Sequence, residues 1–168
     1  MKPLSLVFPF ACLGLLSCQA AEPIRISIIP LSQRDSPPSV SISANPSFYV
    51  VAHNEGKTSV NILEDDNSGS DGCLYFTIEL ADHKTIRIDC LSTFTSRAPA
   101  SAYVLSPQGY YVWQVRLGQG WQGLHALKLP QKVKITAFYK CDRGPEHSSL
   151  ELYSHLLSSK TVEITLKK

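Results

Sequence analysis

Residues Leu74 to Asp89 constrain the fold of this chain more than any other stretch. Leu74, Phe76, Ile78 and Leu80 share one parity, and Tyr75, Thr77 and Glu79 share the other. After the turn Ala81-Asp82-His83-Lys84, Ile86 and Ile88 alternate with Thr85, Arg87 and Asp89. A period of two marks half-buried antiparallel strands, so this stretch predicts a hairpin. Shorter runs of the same kind fill the rest. Ile24 to Ile28 alternates until Pro30, and the loop over 32–39 holds adjacent prolines that cannot join a ladder. Val40 to Ile42, Phe48 to Ala52, Ser59 to Leu63, Tyr103 to Leu105, Tyr110 to Leu117, Val133 to Tyr139 and Val162 to Leu166 have extended character. His53 to Lys57 and Ser106 to Gly109 read as turns, and Leu150 to Leu157 as a helical turn or an irregular strand. No long helical pattern and no internal repeat occurs. Many short strands at regular turn spacing predict an all-β sandwich.

The first residues point to a compartment. One early cation (Lys2), an apolar run from Leu4 to Leu16 and small residues from Ser17 to Ala21 have the layout of a secretory signal peptide over residues 1–20. The run is too short to span a bilayer. Leu15-Leu16-Ser17-Cys18 also resembles a lipobox, which would leave Cys18 as a lipidated first residue, so cleavage after Ala20 and lipidation of Cys18 both stay open. Residues 21–168 suffice for one domain with a proper core. The formal charge of +2 includes Lys2, and no basic block or stripe occurs, which argues against nucleic acid as a partner.

Several segments together carry a resemblance. The His-Asn-Glu-Gly turn at 53–56 precedes Val-Asn-Ile-Leu at 60–63, then an Asn-Ser-Gly loop and Leu-Tyr-Phe-Thr-Ile-Glu-Leu at 74–80. Leu-Ser-Pro-Gln-Gly precedes the tryptophan strand, followed by Lys-Ile-Thr-Ala-Phe-Tyr and Leu-Ser-Ser-Lys-Thr-Val-Glu-Ile. From about Ser47 onward this order resembles exported bacterial immunoglobulin-like domains. Gln108 departs from their Leu-x-Pro-Gly pattern by intervening before Gly109. The resemblance implies an immunoglobulin-like antiparallel β-sandwich at a bacterial cell envelope, periplasmic, secreted or lipid-anchored. Its motifs specify strands and turns and supply no catalytic residue. The expected role is non-catalytic, binding an envelope protein or a polysaccharide. A looser likeness to the bacterial proteinase-inhibitor sandwiches makes inhibition the alternative.

Beyond the signal lie three cysteines, Cys73, Cys90 and Cys141. Cys90 continues the apolar parity of Ile86 and Ile88, and Cys141 that of Val133, Ile135, Ala137 and Tyr139. If the Leu74 strand is flanked by the Thr85 and Val133 strands, all three thiols gather at one end. Cys90–Cys141 is the first choice of disulfide and Cys73–Cys141 the second, with three small buried apolar residues as the alternative. No CxxC or His-Cys spacing supports metal ligation.

Other motifs reduce to loops. Gly118-Gln119-Gly120-Trp121-Gln122-Gly123 matches GxGxxG, but the chain leaves no room for the helix whose N-terminus would meet a pyrophosphate. In the loop Glu64 to Cys73, both calcium registers fail: starting from Asp65 or from Asn67, the twelfth residue is Phe76 or Ile78. A looser cage from Asp65, Asp66 and Asp71 stays open against the stronger reading as a strand connection. The five histidines (53, 83, 125, 147 and 155) form no HxH or HExxH pair, and no GxSxG elbow occurs. No cofactor and no enzyme activity is expected. Tyr111, Trp113, Val115 and Leu117 are expected to face the core, and Tyr110, Val112 and Gln114 to face out. Trp121, flanked by glycines, and Tyr110 are the candidate ligand-binding aromatics, against the stronger reading of Trp121 as packing over the end of the sandwich.

Overall fold

The computed structural model describes residues 23–32, 34–63, 73–90, 102–118, 120–141 and 151–168. The stretch expected to be a signal, with Cys18, and the loop with Asp65, Asp66 and Asp71 lie outside the described residues. Within them the chain is all-β. In chain order the strands are β1 (Ile24–Pro30), β2 (Ser39–Ser41), β3 (Phe48–Asn54), β4 (Val60–Leu63), β5 (Leu74–Glu79) and β6 (Thr85–Asp89). They continue with β7 (Ala102–Leu105), β8 (Tyr110–Val115), β9 (Gln131–Tyr139), β10 (Leu157–Ser158) and β11 (Val162–Lys167).

The predicted hairpin is present. β5 and β6 pair antiparallel with Ile78 opposite Ile86 and Phe76 opposite Ile88. At its turn His83 adopts φ 62°, its N–H donates to the Leu80 carbonyl at 2.9 Å, and Leu80 N–H donates to the Lys84 carbonyl. The ambiguous stretch at 151–156 is irregular and leads into β10, and the GxGxxG match precedes only a single 3-10 turn at Leu124–Ala126.

The strands form two main sheets and a ribbon. One sheet has the order β1-β3-β8; the other runs β2-β11-β9-β5-β6, with β10 also on β9. All pairs are antiparallel except β2 with β11, which is parallel. β4 and β7 make a two-stranded ribbon. The two sheets meet through alternate residues. Phe48 of β3 and Phe76 of β5 pack edge to face at 5.3 Å, and Trp113 of β8 lies 5.5 Å from Tyr139 of β9. One core cluster draws on both sheets, from Ile26, Phe48 and Trp113 on one side to Phe76, Ile135 and Ile164 on the other. This is a sandwich-like arrangement. It arises because each strand places every second side chain inward, and burial of those apolar side chains is the main favourable term.

Asn54, at the end of β3, is a polar group inside this apolar region and is fully buried. Its amide nitrogen donates to the carbonyls of Thr58 (2.8 Å) and Leu105 (2.9 Å), while its Oδ1 accepts from Gly56 N–H at 2.9 Å. Its backbone closes two more bonds, N–H to the Gly109 carbonyl and C=O from Gln108 N–H. One side chain thus ties the turn after β3 to the turn between β7 and β8.

Candidate functional site

The two outer faces of the molecule differ in chemistry, and the difference locates the candidate site. On the larger sheet, register sets Asp89, Tyr75 and Phe138 in one row, Arg87, Thr77 and Thr136 in the next, and Thr85, Glu79, Lys134 and Glu163 in the third. Most of these groups have a partner on the same face. Arg87 lies 3.9 Å above the Tyr75 ring and is paired with Asp89 at 2.8 Å, Tyr75 stacks on Phe138, and Thr136 shares a hydrogen bond with Thr161. Glu79 accepts from His83 Nδ1 at 3.1 Å and from Lys134 Nζ at 3.4 Å. The His83 hydrogen bond first, and then Lys134, hold the Glu79 carboxyl below its ordinary range. Glu79, His83, Lys132, Lys134 and Glu163 line a shallow depression there, open to solvent and screened by it. This is a solvated charged face.

The smaller sheet turns a different surface outward. Its rows are Arg25, His53 and Tyr110; Ser27, Val51 and Val112; and Ile29, Tyr49 and Gln114. Five of the nine are aliphatic or tyrosine. Tyr110 is 60% exposed, Val112 46% and Ile29 40%, with Leu31 beyond the last row at 50%. The grid spans about 13 Å along the strands and about 10 Å across them. Polar groups rim it. Tyr110 stacks on His53 at 4.3 Å, and Glu55 lies 3.5 Å from both Arg25 Nη1 and His53 Nδ1. At the other end Ile29, Leu31, Arg34 and Tyr49 line a concavity. An exposed apolar patch with a polar rim is the usual mark of an interaction surface.

Of the two aromatics singled out from the sequence, Tyr110 stands on this face. Trp121 does not. It is half-buried, bridges to Cys90 and packs 5.0 Å from the Phe76 ring, so it covers one end of the core. Its glycine neighbour explains the fit: Gly123 has φ +93°, and a Cβ there would come within 3.0 Å of the Arg87 carbonyl. Ile29, Tyr49 and Val51 were not anticipated. Their signal was present, because Phe48 to His53 is apolar or aromatic at both parities, which a strand with one solvated face does not need.

The cysteine end came together only in part. β5 does lie between β6 and β9, and all three cysteines are buried thiols near that end. No sulfur–sulfur bond joins any two, so neither the expected Cys90–Cys141 bond nor the Cys73–Cys141 bond is present. The register gives the reason. Cys90 continues β6 and Cys141 continues β9, with the whole of β5 between them; two strand spacings are about 10 Å, beyond the ~7 Å a disulfide tolerates. Cys73 faces Lys140, whose N–H donates to its carbonyl at 2.8 Å, and not Cys141. Among the described residues no group of three His, Cys, Asp or Glu is placed to hold a metal ion.

Tyr139, near these thiols, has its hydroxyl bonded by Leu63 N–H at 3.1 Å. Burial pushes this phenol well above the ordinary tyrosine range, against a smaller opposing effect of the Leu63 bond. A proton held more tightly in the folded state stabilises the fold below the unfolded pKa, near ~10, and that contribution is lost as pH rises. Tyr139→Phe is expected to cost about 1–2 kcal/mol at neutral pH by orphaning Leu63 N–H. Above pH ~10 the parent is expected to lose about 1.4 kcal/mol per pH unit more than the variant. Urea melts of both proteins from pH 7 to 11 check this, and parallel pH profiles would disprove it.

No family model matches the chain, and no curated protein or solved structure matches it.

Proposed function

We propose that the chain is an exported immunoglobulin-like β-sandwich that acts at a bacterial cell envelope as a non-catalytic binding module. Its outer β1-β3-β8 face meets an envelope protein or polysaccharide. The observation that carries the binding role is the contrast between the two outer faces: one is charged and largely paired within itself, the other exposes Tyr110, Val112 and Ile29 on one side of the sheet.

Strand order supports the fold name. Immunoglobulin sandwiches place A, B and E in one sheet and C, F and G in the other, with a further C′ strand in variable-type domains. Here β1, β3 and β8 correspond to the first group, and β5, β6, β9 and β11 to C, C′, F and G. Two antibody hallmarks are missing: no disulfide links β3 to β9, and the buried tryptophan, Trp113, stands on β8 and not on β5. The signal-like first 20 residues support export, with a mature start at Ala21 or at Cys18.

The experiment uses protein recovered from the envelope, offered separately to polysaccharide and to protein fractions of that envelope. Tyrosines are enriched among the interface residues whose truncation costs more than about 1 kcal/mol, and Tyr110 is the most exposed large apolar side chain of this face, so Tyr110→Ala is expected to weaken retention about tenfold. Ile29→Lys is expected to weaken it similarly, while Thr85→Ala on the charged face leaves it unchanged. Equal retention of all three variants would sink the reading.

A further inference from the structure

Each of the two main sheets, the β4-β7 ribbon aside, ends in two edge strands, and natural sheets guard such edges with charge, proline, shortness or a covering segment. Three of the four are guarded here. β2 has three residues and follows Pro37 and Pro38. β6 carries Arg87 and Asp89, and its outer side is covered where Gln122 N–H donates to the Asp89 carbonyl and Trp121 bridges Cys90. β1 carries Arg25 and ends at Pro30. The fourth, β8, is Tyr-Tyr-Val-Trp-Gln-Val, with no charge, proline or glycine, and β3 is its one strand neighbour among the described residues.

The ladder settles which backbone groups face that edge. Asn54 N–H donates to the Gly109 carbonyl, and Ser47 N–H to the Val115 carbonyl, so odd-numbered residues of this segment turn their polar groups toward β3. Groups alternate along an antiparallel strand, so N–H and C=O of Tyr110, Val112 and Gln114 point away from β3. Their side chains are also the exposed ones.

We propose that two copies of this chain associate through β8, antiparallel, about a twofold axis at Val112. That register sets Val112 opposite Val112 of the second copy and Tyr110 opposite Gln114. It is the centre that makes the edge groups of Tyr110, Val112 and Gln114 partners while keeping exposed side chains on one face. No charge meets a like charge, because β8 carries none. An isologous contact of this kind closes at two copies and does not propagate. The three-stranded sheets fuse into one of six strands, and the two apolar outer faces become continuous. A second copy fits the edge better than a charged peptide would, since β8 offers no counter-charge. The inference stands on the edge of β8 and is independent of what binds the outer face.

Sedimentation velocity of the mature chain from about 1 µM to about 1 mM covers the range in which weak and moderate dimers dissociate. A monomer–dimer equilibrium is expected. Val112→Pro deletes only an N–H that points away from β3; it removes two bonds across the axis and is expected to weaken the dimer about 30-fold. Val112→Lys sets two like charges at the axis and is expected to abolish dimerisation. In the unsubstituted chain, amide exchange at Tyr110, Val112 and Gln114 is expected to slow as concentration rises, a readout that needs no variant. A chain that stays monomeric throughout, or a dimer that forms without slowing those three amides, overturns the proposal. So does a dimer that survives both substitutions in folded protein.

Discussion

Phe76→Ala is expected to cost about 4 kcal/mol, the value typical of a large-to-small change at a fully buried aromatic. Phe76 has no exposed surface and sits where the two sheets and the end cover converge. Its ring packs edge to face on Phe48 of the opposite sheet and lies 5.0 Å from Trp121. Truncation removes both contacts, and the pleated backbones on either side cannot collapse into the space without breaking register. At about 3 °C per kcal/mol for a chain of this size, the midpoint is expected to fall by about 12 °C. Phe76→Leu, which keeps most of the volume, is expected to cost only about 1 kcal/mol. Trp121 gives an independent signal, because its ring loses its apolar neighbour and its fluorescence is expected to shift to the red, while Trp113 stays buried near Tyr139. A loss below about 1 kcal/mol for the alanine variant would show that the interior relaxes freely, contrary to a close-packed core.

Asn54→Ala is expected to cost about 3 kcal/mol, for a different reason. The substitution creates little cavity but leaves the Thr58 and Leu105 carbonyls and the Gly56 N–H without their side-chain partner. The Leu105 contact is wholly buried, where an unsatisfied polar group costs the most. Asn54→Asp separates this account from one based on shape. A carboxylate has nearly the same size but presents only acceptors to two carbonyl oxygens, so at pH 7 it is expected to destabilise at least as much as alanine. Protonation returns one donor, and facing two carbonyls the carboxyl holds its proton above the unfolded pKa of about 4, so stability of the acidic variant relative to the parent is expected to recover as pH falls from 7 toward about 4. Denaturant melts of both variants at pH 4 and pH 7 test this. If the acidic variant melts like the parent at pH 7, the hydrogen bonds of Asn54 are not what holds the two turns together.

These two residues also mark how far the sequence could be read. Phe76 is legible as core from its alternation with Tyr75 and Thr77, as is the inward parity of Tyr111, Trp113, Val115 and Leu117, of which the last three are buried and Tyr111 packs half-buried against the core. Asn54 was legible only as part of a turn, because the carbonyl that makes it a structural centre, Leu105, is 51 residues away. Tyr110 was placed outward by parity alone. Its importance comes from Val51, Tyr49 and Ile29, which reach the same face through pairing with strands far apart in the chain. Trp121 shows the opposite case. Its glycine neighbours left exposure open beside the stronger reading as a cover on the sandwich end, and the edge of β6 and the Phe76 ring hold it over the core.

What the sequence determined by itself is local: strands and not helices, the parity of each strand, the hairpin at Leu80 to Lys84, and the absence of room for a dinucleotide helix. These follow from a two-residue period and from turn residues, which act over a few positions and survive any arrangement of the sheets. Tertiary structure alone decided which strands are neighbours. Sheet order put β5 between β6 and β9, separating Cys90 from Cys141 by two strand spacings although both point from the same end. The same order left β8 at an edge and gathered the apolar outward residues of β1, β3 and β8 onto one face. Neighbour choice depends on burying all inward faces at once, a property of the whole chain that no single segment encodes.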